Sequence, residues 1–232
     1  MTFNIYVPSY GRSGTIITKH HLEYCTYVVR KSEEQAYRDA GVESVLAVDD
    51  QEINSLQKVM NWIIEKTPED VVAVLDDDLE SISFRLETIE KFNPEWLTSE
   101  LERLGQVLHD LDLGYLANAD DTSPLYYDRP FKFSGGTGAI RIFNKPALKT
   151  RWGEMMFLSD LDFELEELLR NRIMLIPNFL CTHGLIDTNE GGNNGTKTKA
   201  MFDAEDELLK LKWGKYYQRS NSKGIGGIKV PR

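Results

Sequence analysis

The stretch VVAVLDDDLES, residues 71–81, decides how the chain is read, because five apolar residues run directly into three consecutive aspartates. A short apolar, β-branched run without polar alternation is the signature of a strand buried on both faces. Three adjacent carboxylates repel one another, and burying an unpaired charge costs on the order of several kcal/mol or more. Such a strand end calls for a positive partner.

Working outward, similar apolar runs occur at residues 3–7, 24–29 and 45–48, and helical patterns fill the gaps at 32–40 and 52–66. The first helical pattern opens on Ser32, a polar N-cap, and stops before Gly41. The second repeats apolar residues at Ile53, Leu56, Val59, Met60 and Ile63, one helical face. Strands alternating with helices predict an α/β fold, a mostly parallel sheet flanked by helices, in a single domain over residues 1–232. Ligands of such sheets bind beyond the carboxyl ends of the strands. Those ends carry Ser9, Tyr10 and Arg12 after the first run, Arg30 after the second, Asp49 and Asp50 after the third, and Asp76, Asp77 and Asp78 after the fourth.

Composition narrows the function classes. With 232 residues, 41% hydrophobic and 28% charged, the chain has the make-up of a water-soluble globular protein. No run approaches the roughly 18 apolar residues of a membrane span, and the start, MTFNIYVPSYGRSG, lacks the basic and apolar regions of a signal peptide, so a cytoplasmic location is expected. Cys25 and Cys181 sit among apolar residues without disulfide or zinc spacing. A formal charge of −10 excludes whole-surface attraction to nucleic acid. From Thr196 onward, however, nine basic residues face four acidic ones, a net +5, which leaves −15 on the remainder. The basic segment 208–232 interleaves Trp213, Tyr216 and Tyr217 with lysine and arginine, a composition suited to phosphates and stacked bases.

Continued strand geometry would put Asp76 and Asp78 on one side, with Cα atoms about 6–7 Å apart, and Asp77 on the other. Two convergent carboxylates suit a hard divalent ion, Mg2+ or Mn2+, that keeps open positions for water or a substrate phosphate. The pattern resembles the GT-A (Rossmann-like) glycosyltransferases, whose Asp-x-Asp signature follows a hydrophobic strand and holds a metal on the diphosphate of a nucleotide sugar. The resemblance extends into the second half. FSGGTGAIRIFNK, residues 133–145, is similar to the family strand beside the donor sugar, which implies donor contacts at Gly135 and Gly136. FLSDLDFELEELLRNRIMLIPN, residues 157–178, places Leu161, Leu165, Leu168 and Leu169 on one helical face ahead of a strand at 173–176. Its start is similar to the family's Glu-Asp-x-Asp, in which one acid is the catalytic base; here Ser159 replaces the glutamate.

The candidates for that base are Asp160 and Asp162. Ser159-x-x-Asp162 fits a capping box, which makes Asp162 mainly structural and favours Asp160. The resemblance also implies a third metal ligand at His183 in LCTHG, residues 180–184, and a mobile loop around 184–200 that closes over the donor. It implies nucleotide contacts from Ser9, Tyr10, Arg12 and Arg30, with Asp77 beside the donor and Asp49 accepting from a uracil ring. Arg12, Lys212 or Lys215 would hold the diphosphate.

IYVPSYGRSGT (5–15), YVVRKSEEQAY (27–37), LDDDL (75–79) and the glycine-rich basic close together look like the TET-associated glycosyltransferases, viral enzymes that glycosylate 5-hydroxymethylpyrimidines in DNA. That implies a UDP-sugar donor, a 5-hydroxymethylcytosine acceptor in DNA and a phage protein working in the host cytoplasm. The alternatives are a glycosyltransferase with a polysaccharide, lipid or protein acceptor, a nucleotidyltransferase using the same acids, and a noncatalytic nucleotide-binding module.

Overall fold

A computed structural model describes residues 1–119, 123–184, 198–219 and 226–232. The loop expected around 184–200 lies almost wholly outside them, as does part of the basic segment, residues 220–225.

The described residues form one nine-stranded mixed sheet. The strands expected from the apolar runs are β1 (Phe3–Pro8), β2 (Thr26–Arg30), β3 (Val45–Val48) and β4 (Val71–Leu75), all mutually parallel where they pair. The second starts two residues later than the run suggests. They are followed by β5 (Leu79–Arg85), β6 (Ile89–Lys91), β7 (Tyr115–Ala119), β8 (Phe131–Lys132), β9 (Thr137–Asn144), β10 (Ile176–Pro177) and β11 (Leu180–Gly184). The order across the sheet is β3-β2-β1-β4-β9-β7-β11-β5-β6. Only β9 and β5 run against the other strands of this sheet, so it is mixed and mostly parallel as expected. β8 and β10 form a separate antiparallel pair.

Strand alternation divides the core between two faces. On β4, Val72 and Val74 point to the face covered by α2 (Leu56–Lys66) and α4 (Ser159–Asn171). Val71, Ala73 and Leu75 point to the opposite face, covered by α1 (Glu34–Asp39) and by Leu97, Leu101, Leu104 and Leu108 of α3 (Pro94–Asp110). All five β4 residues are buried, which is why the strand reads as an unbroken apolar run. The last helix, α5 (Lys199–Trp213), and a small hairpin of β12 (Tyr217–Arg219) and β13 (Gly226–Ile228) join the first face through Leu209, Tyr217 and Val230. No helix of the described residues is long and apolar enough to cross a membrane.

Three local expectations are corrected. Ser32 does not cap a helix at 32–40: its hydroxyl donates to Asp50 at 2.5 Å, a short 3-10 turn covers Lys31–Glu33, and α1 begins at Glu34. The stop is as expected, with Gly41 in the left-handed region at φ +78°. The helix expected over 52–66 begins at Leu56, where Ser55 accepts from the Lys58 amide at 3.3 Å; Ile53 is buried in the preceding turn instead. The strand expected at 173–176 shrinks to β10, because Leu175 bridges Leu116 of β7 while Ile176 and Pro177 pair with β8.

Candidate active site

The carboxyl edge of β1, β2 and β4 opens into a cleft of about 530 Å³. Of the residues singled out from the sequence, it gathers Ser9, Tyr10, Arg12, Arg30, Asp76, Asp77, Asp78 and Asp160.

The three aspartates are a turn between β4 and β5, not a continuation of the strand. Buried Thr18 fixes that turn, donating to the Asp76 carbonyl at 2.7 Å and accepting from the Leu79 amide at 3.1 Å. Strand alternation therefore does not apply, and the expected partition of side chains is overturned. Asp77 and Asp78 converge on one cation, Arg12 Nη1, at 2.6 and 3.0 Å. Asp76 turns to Arg141 Nη1 at 2.9 Å. The positive charge demanded by the sequence is thus met by two arginines. Asp77 is also held by the Ser9 hydroxyl, whose oxygen lies 2.6 Å from Tyr37 Oη. Burial raises the Asp77 carboxyl above its ordinary range, with Ser9 and Arg12 pulling the other way. Beside them the Arg30 guanidinium lies 3.7 Å over the Tyr10 ring.

Asp160 enters the cleft from the first turn of α4. Burial raises its pKa, and the charge of Arg141 opposes that rise before any other group. One turn below, Glu164 is 1% exposed and accepts from Tyr115 Oη at 3.0 Å and from Thr137 Oγ1. Burial first, then the nearby Asp160, pushes Glu164 up to about 8. Trp152 stacks on Phe163 at 5.0 Å and, with Met156 and Phe157, lines the Asp160 end of the cleft.

Among the described residues, seven buried side-chain nitrogen or oxygen atoms have no hydrogen-bond partner, and four of them are N–H groups of cleft residues: the Nε of Arg12, Arg30 and Arg141, and Nε1 of Trp152. Buried polar groups without partners are rare in folded proteins. These four N–H groups belong to residues that line the cleft, though the atoms themselves are covered.

Other sequence candidates lie elsewhere. Asp162 is 5% exposed, but its carboxylate faces α5: Lys212 Nζ lies 2.8 Å from Oδ1, and Trp213 Nε1 donates to it at 2.8 Å. Lys212 is therefore engaged with an internal acid, and Lys215 lies 5.2 Å over the Tyr216 ring outside the cleft lining. The expected capping box is not formed; no side chain caps α4 locally, and Ser159 is already its first helical residue. Gly135 and Gly136 do not line the cleft, because neighbouring Ser134 donates to the Val230 carbonyl at 2.8 Å. Asp49 closes its own turn by accepting from the Gln51 amide at 2.9 Å. His183 is solvent-facing, 3.7 Å from Glu80. Among the described residues no three His, Cys, Asp or Glu side chains come together as a metal site, so the set Asp76, Asp78 and His183 is not assembled. The residues that local reading missed are Thr18, Arg141 and Trp152; Arg141 alone left a signal, as a charge inside the apolar strand AIRIF, residues 139–143.

No protein-family model matches the chain, and no curated protein is significantly similar to it in sequence. Solved structures do resemble it in fold. Glucosyl-3-phosphoglycerate synthase from Mycobacterium tuberculosis, in complex with Mg2+ and UDP, superposes with a TM-score of 0.55 at 10% identity, over 99% of this chain and 87% of that one. The same synthase with Mn2+, UDP-glucose and phosphoglyceric acid gives 0.55 at 11%, over 90% and 78%. The mannosyltransferase PcManGT from Pyrobaculum calidifontis, with GDP-Man and Mn2+, gives 0.54 at 12%, over 78% of this chain and 56% of that one. The chain thus spans just over half the length of the mannosyltransferase, and 60% of S. aureus TarS 1–349, where the TM-score is 0.46. The fold is the GT-A, Rossmann-like α/β arrangement expected from the sequence.

Proposed function

We propose that the protein is a metal-dependent, inverting glycosyltransferase that moves a sugar from a nucleotide-sugar donor, a UDP-sugar, to the hydroxyl of 5-hydroxymethylcytosine in DNA. The observation that carries the transfer reaction is the cleft lined together by Asp76, Asp77, Asp78, Arg12, Arg141 and the half-buried Asp160. Donor and metal are supported by the solved structures of this fold that hold UDP with Mg2+ and UDP-glucose with Mn2+. The DNA acceptor rests on the sequence resemblance, since Lys212, Trp213 and Tyr217 of the tail are engaged within the fold.

The donor set fits a hard divalent ion. Asp78 lies against Arg12 and Asp76 against Arg141, both cleft residues, and Mg2+ needs only one or two carboxylates beside substrate phosphates. Asp78 and Asp76 would hold the ion, which when bound neutralises the diphosphate; His183 is not needed. Tyr10 and Arg30 form a flat cationic shelf suited to the nucleoside. Arg12 and Arg141 point further charge at the phosphates and the sugar, in a site where preorganised donors act strongly. Asp160 accepts the proton of the acceptor hydroxyl as its oxygen bonds to the anomeric carbon. The bond from that carbon to the diphosphate breaks on the opposite side, and the nucleoside diphosphate leaves with the electron pair. One base and one direct displacement give inversion.

The test is to incubate the protein with hydroxymethylcytosine DNA, Mn2+ and a panel of labelled nucleotide sugars, then digest the DNA to nucleosides. A glycosylated nucleoside that disappears on chelation is expected. Donor turnover that ignores the DNA would refute the acceptor, and no turnover with any donor would refute the transfer reaction.

A further inference from the structure

The entry to α4 lacks a local cap, yet the three amides that lead into it are held. Leu158 stands at the N-cap position, where a leucine side chain has no acceptor to offer. The acceptor comes from α5. Glu205 takes the amides of Met156 at 2.7 Å, Phe157 at 2.8 Å and Leu158 at 3.0 Å on its two carboxylate oxygens. A carboxylate is favoured at this helix end by both charge and hydrogen bonding. The second contact runs the other way: Asp162 of α4 accepts from Lys212 and Trp213 of α5. Asp160 lies midway, two residues after Leu158 and two before Asp162. The backbone on one side of it and the side chain on the other are both tied to the same helix, while its own carboxylate takes the Leu161 amide, at 2.9 Å, and its own amide, and lines the cleft.

We infer that α5 is a two-point bracket that positions Asp160 for proton transfer, with Glu205 as the principal positioning residue and the Asp162–Trp213 contact as the second. This rests on the reading of Asp160 as the base. Glu205 also fixes Met156 and Phe157, which line the same end of the cleft, so one carboxylate sets the base and the wall beside it. It lies on a different element from the aspartate turn and from Arg12, which makes its effect separable from donor binding. Displacements of about 1 Å around a reacting group cost up to about 10²-fold in rate.

The experiment compares wild type, Glu205→Gln, Trp213→Phe, Asp160→Asn and the double variant Glu205→Gln/Asp160→Asn. Two readouts are used: hydrogen exchange of the 150–163 region, and kcat alongside the affinity for UDP with Mn2+. Glutamine presents an NH2 where a carboxylate oxygen accepted, so exchange at the amides of 156–158 should rise about tenfold or more while the sheet stays protected. In Glu205→Gln kcat should fall about tenfold or more, and in Trp213→Phe a few-fold, with UDP affinity within about twofold of wild type. Because the bracket works through Asp160, Glu205→Gln should add nothing in the Asp160→Asn background. Unchanged exchange or unchanged kcat in Glu205→Gln overturns the bracket, as does a further loss in the double variant or a matching loss of UDP affinity. If Glu205→Gln does not fold, the milder Trp213→Phe decides on the same criteria. An Asp160→Asn enzyme with normal kcat overturns the base assignment itself, a result distinct from all of these.

Discussion

The molecule carries two acidic clusters two elements apart in kind, and they solve the same electrostatic problem differently. Asp76, Asp77 and Asp78 sit where a strand ends; a strand end offers no focused positive potential, so each acid is answered by a side chain, Arg12 or Arg141. Asp160 and Asp162 sit where a helix begins, and backbone amides with the helix dipole already favour negative charge there. The arginines of the first cluster retain buried N–H groups without partners, whereas Asp162 of the second is closed off by Lys212 and Trp213. Acids matched by under-used cations are ready to exchange partners with a ligand. Acids matched internally are part of the scaffold, and only Asp160 is left to react.

The largest effect expected from this contrast is at Asp160. Asp160→Asn keeps the shape and removes the proposed proton acceptor, so kcat should fall about 10²–10⁴-fold, with UDP affinity in Mn2+ unchanged. Asp162→Asn should lose far less of kcat. Equal losses of kcat in the two variants would erase the distinction between a reacting and a structural acid.

Next comes the arginine of the strand-end cluster. Arg12→Gln leaves Asp77 buried without its cation, and breaking a buried pair in this way costs about 3–5 kcal/mol. The loss should shrink as pH falls, because Asp77, already raised by burial, takes up a proton and the stranded charge disappears. Urea denaturation at pH 7 and pH 5 measures both. A loss independent of pH would mean that packing, and not the ion pair, carries the stability.

Glu164 provides a third test, beneath the helix-start cluster. Its folded-state value of about 8 lies above the ordinary carboxylate value of 4.5. Below pH 4.5 both folded and unfolded chains are protonated, and this group adds no pH dependence. Between pH 4.5 and 8 the unfolded chain releases the proton while the folded chain keeps it, so stability falls as pH rises. The total swing is on the order of 5 kcal/mol. Glu164→Gln should remove that slope, gaining stability relative to wild type at pH 8 compared with pH 5. An identical slope in the variant would place the titrating group elsewhere.

Legibility from sequence followed the same division. The strand Val71–Leu75 was readable to the residue because continuous burial leaves a continuous apolar run, and Val45–Val48 was readable too although, at the sheet edge, it is only partly buried. The polar strand ends that line the cleft were readable by the rule for parallel sheets. What failed was local extrapolation: extending strand alternation through Asp76, Asp77 and Asp78, where Thr18 imposes a turn, and reading Ser159 as a cap where Glu205 serves instead. Both are contacts across about fifty residues or more, and neither Thr18 nor Glu205 carries a local pattern that announces its partner. Arg141 was visible as a charge in an apolar strand, but its pairing with Asp76 depends on the antiparallel register of β9 against β4, which places Arg141 opposite Val74.

The smallest effect is expected at His183, and it sharpens the comparison from the other side. Its imidazole is 67% exposed and lies 3.7 Å from the exposed Glu80, the geometry of a surface pair worth at most about 1 kcal/mol. The main chain next to it does approach the aspartate turn: a Cβ built on Gly184 would come within 3.6 Å of the Asp78 carbonyl oxygen. Proximity of the backbone and participation of the side chain are therefore separable here. His183→Ala should leave Mn2+ affinity, measured by electron paramagnetic resonance in the presence of UDP, within about twofold of wild type, whereas Asp78→Ala should lose it. A loss in His183→Ala as large as that in Asp78→Ala would show that the imidazole turns inward when donor and ion bind. The strand-end cluster would then draw on β11 as well as on the turn after β4.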